Sequence, residues 1–168
     1  KVPWVSLCFS NPQKKIASKP ADVDETYHSI GDLFNHVNKA TATVITYDSG
    51  RNVFRQGSGF FINEEGHFIT CYHVLKGAYS VYIKIEDKEE YEVDHVIAQD
   101  ADRDLIKLAV SIPQGTLSPG MWLDIDSKRP KIADKVLVIS TPMGLSRTVS
   151  DGIISAIREL PTKGSFIR

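Results

Sequence analysis

The chain has 168 residues, 42% of them hydrophobic, and twenty basic against twenty-one acidic side chains leave a formal net charge of −1. That length suits one ordinary domain or two small lobes, and so balanced a charge gives no overall field with which to hold nucleic acid. No apolar run approaches the roughly 18 residues that a membrane-spanning helix needs, and two cysteines, Cys8 and Cys71, are too few for a disulfide framework.

Residues 1–9 read as an extended arm packed on the surface; Pro3 and the shortness of the apolar run argue against the remnant of an export signal. Residues 10–21 are polar, with lysines and prolines, and read as a linker. Val23, Tyr27, Ile30, Leu33, Phe34 and Val37 recur at spacings of three and four, which predicts a helix with one apolar face. Ser29 followed by Asp32 matches a capping box, so the firm part of that helix starts at Ile30.

From residue 40 the pattern changes to strands. Segments 41–47, 51–62, 67–71, 79–86, 91–99 and 104–110 are rich in β-branched and aromatic residues, with turn signals at Asp48-Ser49-Gly50 and at 63–66. The segment 86–94 is acidic and reads as a hairpin face in water. Six short strands at this spacing predict a small closed antiparallel barrel. Pro113, Gly115, Pro119 and Gly120 mark a linker over the surface, and 135–140 and 148–158 then read as two further strands. Two strands alone bury too little to stand as a lobe. The expected organisation is an arm and helix (1–38), a first barrel (39–112), a linker (113–134) and the start of a second barrel (135–168). No internal repeat is present.

Of the five histidines, His28, His36, His67 and His95 fall on the helix, after a turn or in mid-strand, where solvent-facing roles are the default. His73 differs, because it ends the apolar strand Phe68-Ile69-Thr70-Cys71-Tyr72 where strand gives way to a loop or short helix. That is a good place for a base at a cleft. His67, Cys71 and His73 share strand parity, yet no fourth ligand stands at useful spacing for zinc. Asp100, Asp102 and Asp104 begin like a calcium loop, which fails because the sixth position is Leu105 and the twelfth Ser111. No metal or organic cofactor is expected. Asp104 heads an apolar strand and can reach inward from a barrel rim; Asp102 lies further out in a polar loop.

Four segments stand in order: Gly57-Ser58-Gly59-Phe60-Phe61-Ile62, Thr70-Cys71-Tyr72-His73-Val74, Asp104-Leu105, and Thr141-Pro142-Met143-Gly144-Leu145 with Thr148-Val149-Ser150-Asp151-Gly152-Ile153-Ile154-Ser155-Ala156. This series resembles the HtrA (Deg) group of trypsin-like serine proteases; Thr141 stands where that group usually has Asn. The resemblance implies an all-β, trypsin-like double β-barrel, with the first six-stranded barrel complete, the second truncated, and a helix in front. It implies a serine-type endopeptidase with His73 as general base and Asp104 as the carboxylate that orients it. Peptide or unfolded-protein substrates, a periplasmic, cell-envelope or secreted location, and a homo-oligomer contacting through Leu33 and Phe34 are implied as well. For those two side chains, covering the barrel is the alternative.

The nucleophile is missing from the pattern. A chymotrypsin-like chain places it third, after His and Asp, in a G-N/D-S-G-G segment. Ser140, Ser146, Ser150, Ser155 and Ser165 do not sit in one. By analogy that loop is expected roughly ten to twenty residues beyond Arg168, so these residues read as the amino-terminal part of such a protease and as inactive alone. The rival reading is a protease-like module that has lost its chemistry and binds peptides or a partner protein. A G-x-S-G-G segment following Arg168 would decide for the enzyme.

Overall fold

The computed structural model describes residues 7–10, 29–85, 89–126, 129–140, 148–160 and 164–167. A short strand β1 (Leu7–Ser10) comes first, then helix α1 (Ile30–Ala40). Ser29 caps the helix as its spacing to Asp32 predicts: its Oγ accepts the Asp32 N–H at 3.1 Å and donates to Asp32 Oδ2 at 2.9 Å. Asp32 in the first turn and Lys39 in the last also complement the helix dipole. Val23, Tyr27, His28 and nearly all of the expected linker lie outside the described residues.

Six strands then close on themselves: β2 (Thr41–Tyr47), β3 (Val53–Phe61), β4 (His67–Thr70), β5 (Ser80–Ile85), β6 (Glu89–Asp100) and β7 (Leu105–Val110). A single-turn helix, α2 (Tyr72–Leu75), lies between β4 and β5. Around the barrel the order is β2-β3-β4-β7-β6-β5, each neighbour antiparallel. Closure leaves no edge strand to manage. Two register shifts in β6, at Val93/His95 and Val96/Ala98, let that twelve-residue strand bend around the barrel.

The barrel core is built from alternate residues of five of the six strands: Val44, Phe61, Phe68, Ile83, Ile106, Leu108 and Val110 are all buried, and Tyr91 and Val93 of β6 pack against the core half-buried. Phe61 and Phe68 meet edge to face, with ring centroids 4.9 Å apart. Gly59 makes room for that pair. A Cβ there would stand 2.3 Å from both the Ile69 carbonyl oxygen and Phe68 Cε1.

The second lobe departs from expectation in three ways. Residues 148–158 do not form one strand: β8 (Lys135–Ser140) pairs with β9 (Thr148–Ile153), and the ladder stops there. Ile154 is buried and turns away, donating to the Asp134 carbonyl and accepting from Ala133 N–H, both at 2.9 Å. A separate ribbon of β10 (Ile157–Leu160) and β11 (Gly164–Ile167) follows. Nor is the β8-β9 pair an isolated ribbon, because β1 adds to the other edge of β8, Leu7 opposite Ile139 and Ser10 opposite Val136. Periodicity within a segment carries no information on so distant a pairing, which is why a surface arm was expected.

The linker, too, enters the interior instead of running over the surface. Leu117 joins the barrel core, and Leu123 joins a second cluster with Leu33, Val37, Ala40, Leu137 and Ile139, against which Phe34 and Phe60 pack. The apolar face of α1 thus joins the barrel to β8, and Leu33 is buried within the chain. Among the described residues no helix is long and apolar enough to cross a membrane.

Gly59→Ala is expected to destabilise the chain by about 1–3 kcal/mol or more, because backbone and a buried ring leave a methyl group no room. Gly152→Ala, on exposed β9 with no atom within 4 Å of the added carbon, should change stability by less than about 0.5 kcal/mol. Urea unfolding midpoints of the two variants read the difference.

Candidate active site

Pairing of β4 with β7 places Thr70 opposite Ile106. Residues just after β4 therefore meet the residue just before β7 at one rim of the barrel. Asp104 occupies that position and holds the start of α2 at three points. Its carbonyl oxygen accepts the Tyr72 N–H at 3.2 Å, its Oδ1 accepts the His73 N–H at 2.8 Å, and its Oδ2 lies 2.5 Å from His73 Nδ1. With the carboxylate ionised, that last bond places the ring proton on Nδ1 and leaves the Nε2 lone pair free. His73 and Asp104 keep about a third of their side chains exposed, 36% and 31%. The pair is therefore accessible from solvent at the rim.

The approach to Asp104 is a tight turn. Asp100 accepts the Arg103 N–H through Oδ1 at 3.0 Å and the Arg103 guanidinium through Oδ2 at 2.6 Å. Asp104 itself has φ +58°, the left-handed region, which aspartate tolerates better than most side chains. Asp102 is an exposed member of the turn. Of the two acids weighed from sequence, the bond to His73 comes from Asp104.

Strand β3 supports α2 from the other side. Thr70 Oγ1 donates to the Ser58 carbonyl at 2.7 Å, and Gly57 lets Val74 close in, since a Cβ at 57 would lie 2.7 Å from Val74 Cγ2. Arg55 donates from Nη1 to the carbonyl oxygens of His73 at 2.8 Å and Lys76 at 2.6 Å. Sequence reasoning missed Arg55. No spacing rule links it to residues 73 and 76, and the contact follows only from barrel closure.

Strand parity grouped His67, Cys71 and His73, but β4 ends at Thr70 and the parity rule with it. His67 bonds to Asn63 across the β3-β4 turn, ring Nδ1 to Asn63 Nδ2 at 2.8 Å. Cys71, His73 and Asp104 come together instead, with their ligand-type atoms within 4.8 Å of one another. Cys71 is 3% exposed, and burial, with the Asp104 carboxylate beside it, pushes its thiol up to about 12. The thiol stays protonated at neutral pH, and His73 and Asp104 are bonded to each other. His95 is exposed and bonds Asp94, Nδ1 to Oδ2 at 2.8 Å, and His36 is half-buried on α1. Residues 141–147, Thr141 and Gly144 among them, lie outside the described residues.

A closed six-stranded antiparallel barrel carrying a bonded His–Asp pair on its rim has the architecture of a trypsin-like serine peptidase. The family described as "Trypsin-like peptidase domain" matches residues 57–168. The magnetosome formation protease MamE of Paramagnetospirillum magneticum is 38% identical over 112 residues, covering 65% of this chain and 15% of that protein. The chloroplastic Protease Do-like 1 of Arabidopsis thaliana is 32% identical over 105 residues, 61% of this chain and 23% of that protein. A probable periplasmic serine endoprotease, DegP-like, of Halomonas elongata is 36% identical over 109 residues, 62% and 21% respectively. The crystal structure of a serine endoprotease from Yersinia pestis superposes with a TM-score of 0.65 at 26% identity, covering 79% of this chain and 46% of that one. The chain belongs to the trypsin-like peptidase family and is of its HtrA/Deg type. It spans less than a quarter of the length of these curated relatives.

Two outcomes follow from the site. In the chain with Cys8 replaced by serine, Cys71 should react with a disulfide reagent at pH 8 at least about 100-fold more slowly when folded than in denaturant, since the thiolate is disfavoured and enclosed. The Asp100 carboxyl is held below its ordinary value, chiefly by the Arg103 side chain. Its contribution to stability is therefore present above the unfolded value of about 4 and is lost as pH falls through the lower folded value. The gap in Tm between the native chain and Asp100→Ala should be open at pH 6 and close as pH falls below that range.

Proposed function

We propose that this chain furnishes the general base, His73, and its orienting carboxylate, Asp104, to a serine endopeptidase. One observation carries the reading: a single carboxylate bonds both the backbone N–H and the ring of His73. The ring is thereby held in the tautomer whose Nε2 can take a proton. In the reaction this implies, a serine Oγ attacks the peptide carbonyl as its proton passes to Nε2. The Asp104 charge stabilises the imidazolium so formed, and the proton then goes to the departing amine. Water hydrolyses the resulting serine ester by the same base. No cofactor takes part in this scheme.

The nucleophile and its flanking amides belong to a G-x-S-G-G loop, a pattern that these 168 residues do not contain. In this reading, arm and helix, first barrel, linker and the beginning of a second barrel follow in that order, with the dyad on the first barrel and the nucleophile on the second. Peptides or unfolded protein segments are the proposed substrates. The proposed location is the periplasm or cell envelope, after the printed descriptions of several relatives. Where copies associate, α1 offers its exposed end at Ile30 and not Leu33, which is buried.

The 168-residue chain should not label with a serine-directed fluorophosphonate. A longer chain carrying a G-x-S-G-G loop within a complete second barrel should label. There His73→Ala should abolish labelling, and Asp104→Asn should lower turnover by about 10⁴-fold, the scale on which a misoriented imidazole fails. Labelling of the short chain that survives His73→Ala would refute the assignment. A longer chain that binds peptide without labelling would favour the inactive binding module.

A further inference from the structure

His73 is held at three of its atoms, and Asp104 accounts for only two of them. The third is the carbonyl oxygen, which accepts from Arg55 Nη1 at 2.8 Å; the same Nη1 donates to the Lys76 carbonyl at 2.6 Å. These carbonyls stand near the end of α2, a helix of four residues. One turn has almost no stability of its own, and its terminal carbonyls lack partners within the helix. Its C-cap region is closed by backbone bonds, Lys76 N–H to the Tyr72 carbonyl and Ala78 N–H to the Leu75 carbonyl, at 3.2 and 2.9 Å. Neither of these reaches the carbonyl of residue 73.

Arg55 is well placed to be more than an incidental surface contact. Its backbone carbonyl accepts from Thr46 Oγ1 at 3.0 Å, and Thr46 is fully buried, so the root of the side chain is fixed in the β2-β3 ladder. Its guanidinium carbon lies 4.4 Å from the centroid of the Phe54 ring, which restricts the other end. A planar cation held at both ends loses little further freedom on bonding two carbonyls.

We infer that Arg55 is a positioning residue for His73, bracing the histidine's carbonyl from β3 while Asp104 holds its N–H and ring from β7. The functional side of this statement rests on His73 being the general base. Its structural side does not, and the experiment addresses the structural side directly.

The test is proton exchange in the 168-residue chain, followed by ¹H–¹⁵N NMR at low temperature. Two protons report on His73: its backbone N–H, bonded to Asp104 Oδ1, and its ring Nδ1–H. Buried β2 and β5 amides, those of Val44 and Ile83, serve as internal references. Arg55→Met keeps length and contact with Phe54 but removes the donors. Both His73 protons should then exchange at least about tenfold faster while the reference amides stay within about twofold. Arg55→Lys retains a cationic donor and should recover the His73 protons to within about threefold of the native chain. The inference is overturned if Arg55→Met leaves both His73 protons within about twofold of native, or speeds the reference amides equally, or if Arg55→Lys recovers nothing. None of these results depends on a serine, so failure here is distinct from failure of the protease reading, which His73→Ala in the longer chain would reveal.

Discussion

One carboxylate organises the rim of this barrel. Asp104 takes both the backbone N–H and the ring of His73, and its own carbonyl takes the next N–H back along the chain, that of Tyr72. The arrangement exists only because β4 and β7 are neighbours in a closed barrel although 36 positions separate Thr70 from its partner Ile106. A side chain bonded at one point can rotate about that bond. One whose backbone and ring are tied to the same rigid carboxylate cannot, so the fold alone settles the ring's orientation. The general-base role proposed for His73 depends on this kind of pre-organisation, because any reorientation of the ring would otherwise add to the activation barrier.

Conformational strain and burial at the rim are compatible with that role. The positive φ at Asp104 costs of order 1 kcal/mol for a non-glycine residue and persists because the Asp100–Arg103 turn before it and the β7 ladder after it leave no alternative path. Cys71, behind the pair, is small enough to sit against the carboxylate and stays a neutral thiol. A thiolate there would repel the Asp104 carboxylate. A neutral thiol does not.

Much of this was legible in the sequence. Alternation at Ile106, Leu108 and Val110 and the glycine-marked turns gave the six barrel strands to within a few residues, because each strand buries one face and local pattern records that. Ser29 and Asp32 announced the helix start, since capping is a contact over three residues. The His73 and Asp104 candidates came from ordered motifs, which register a site's parts without its geometry. What sequence did not carry was non-local. The pairing of Leu7–Ser10 with β8, the burial of Leu117 and Leu123, and the reach of Arg55 to residues 73 and 76 all join segments whose separation no periodicity encodes. The break after Ile153 was missed for a related reason. Ile153 and Ile154 continue an apolar run, and only the competing bonds from Ala133 and to Asp134 end the strand there.

Strand β3 shows how these levels meet. Arg55, Gly57, Gly59 and Phe61 share one face by the two-residue period, and along it burial deepens from an exposed rim to a closed core. At the rim the long cationic side chain reaches across to the carbonyls of α2. One step in, the missing side chain of Gly57 admits Val74, the residue after His73. A further step in, Gly59 admits the Phe68 ring, and at the bottom Phe61 meets that ring edge to face. Phe60, on the opposite face, packs against the cluster that joins α1 to β8. A strand with two glycines among its apolar residues is therefore shaped by what lies against it at each position. Gly57 admits the histidine-bearing turn to the barrel mouth, Gly59 admits the core ring beneath it, and Phe60 fixes the strand to the rest of the chain.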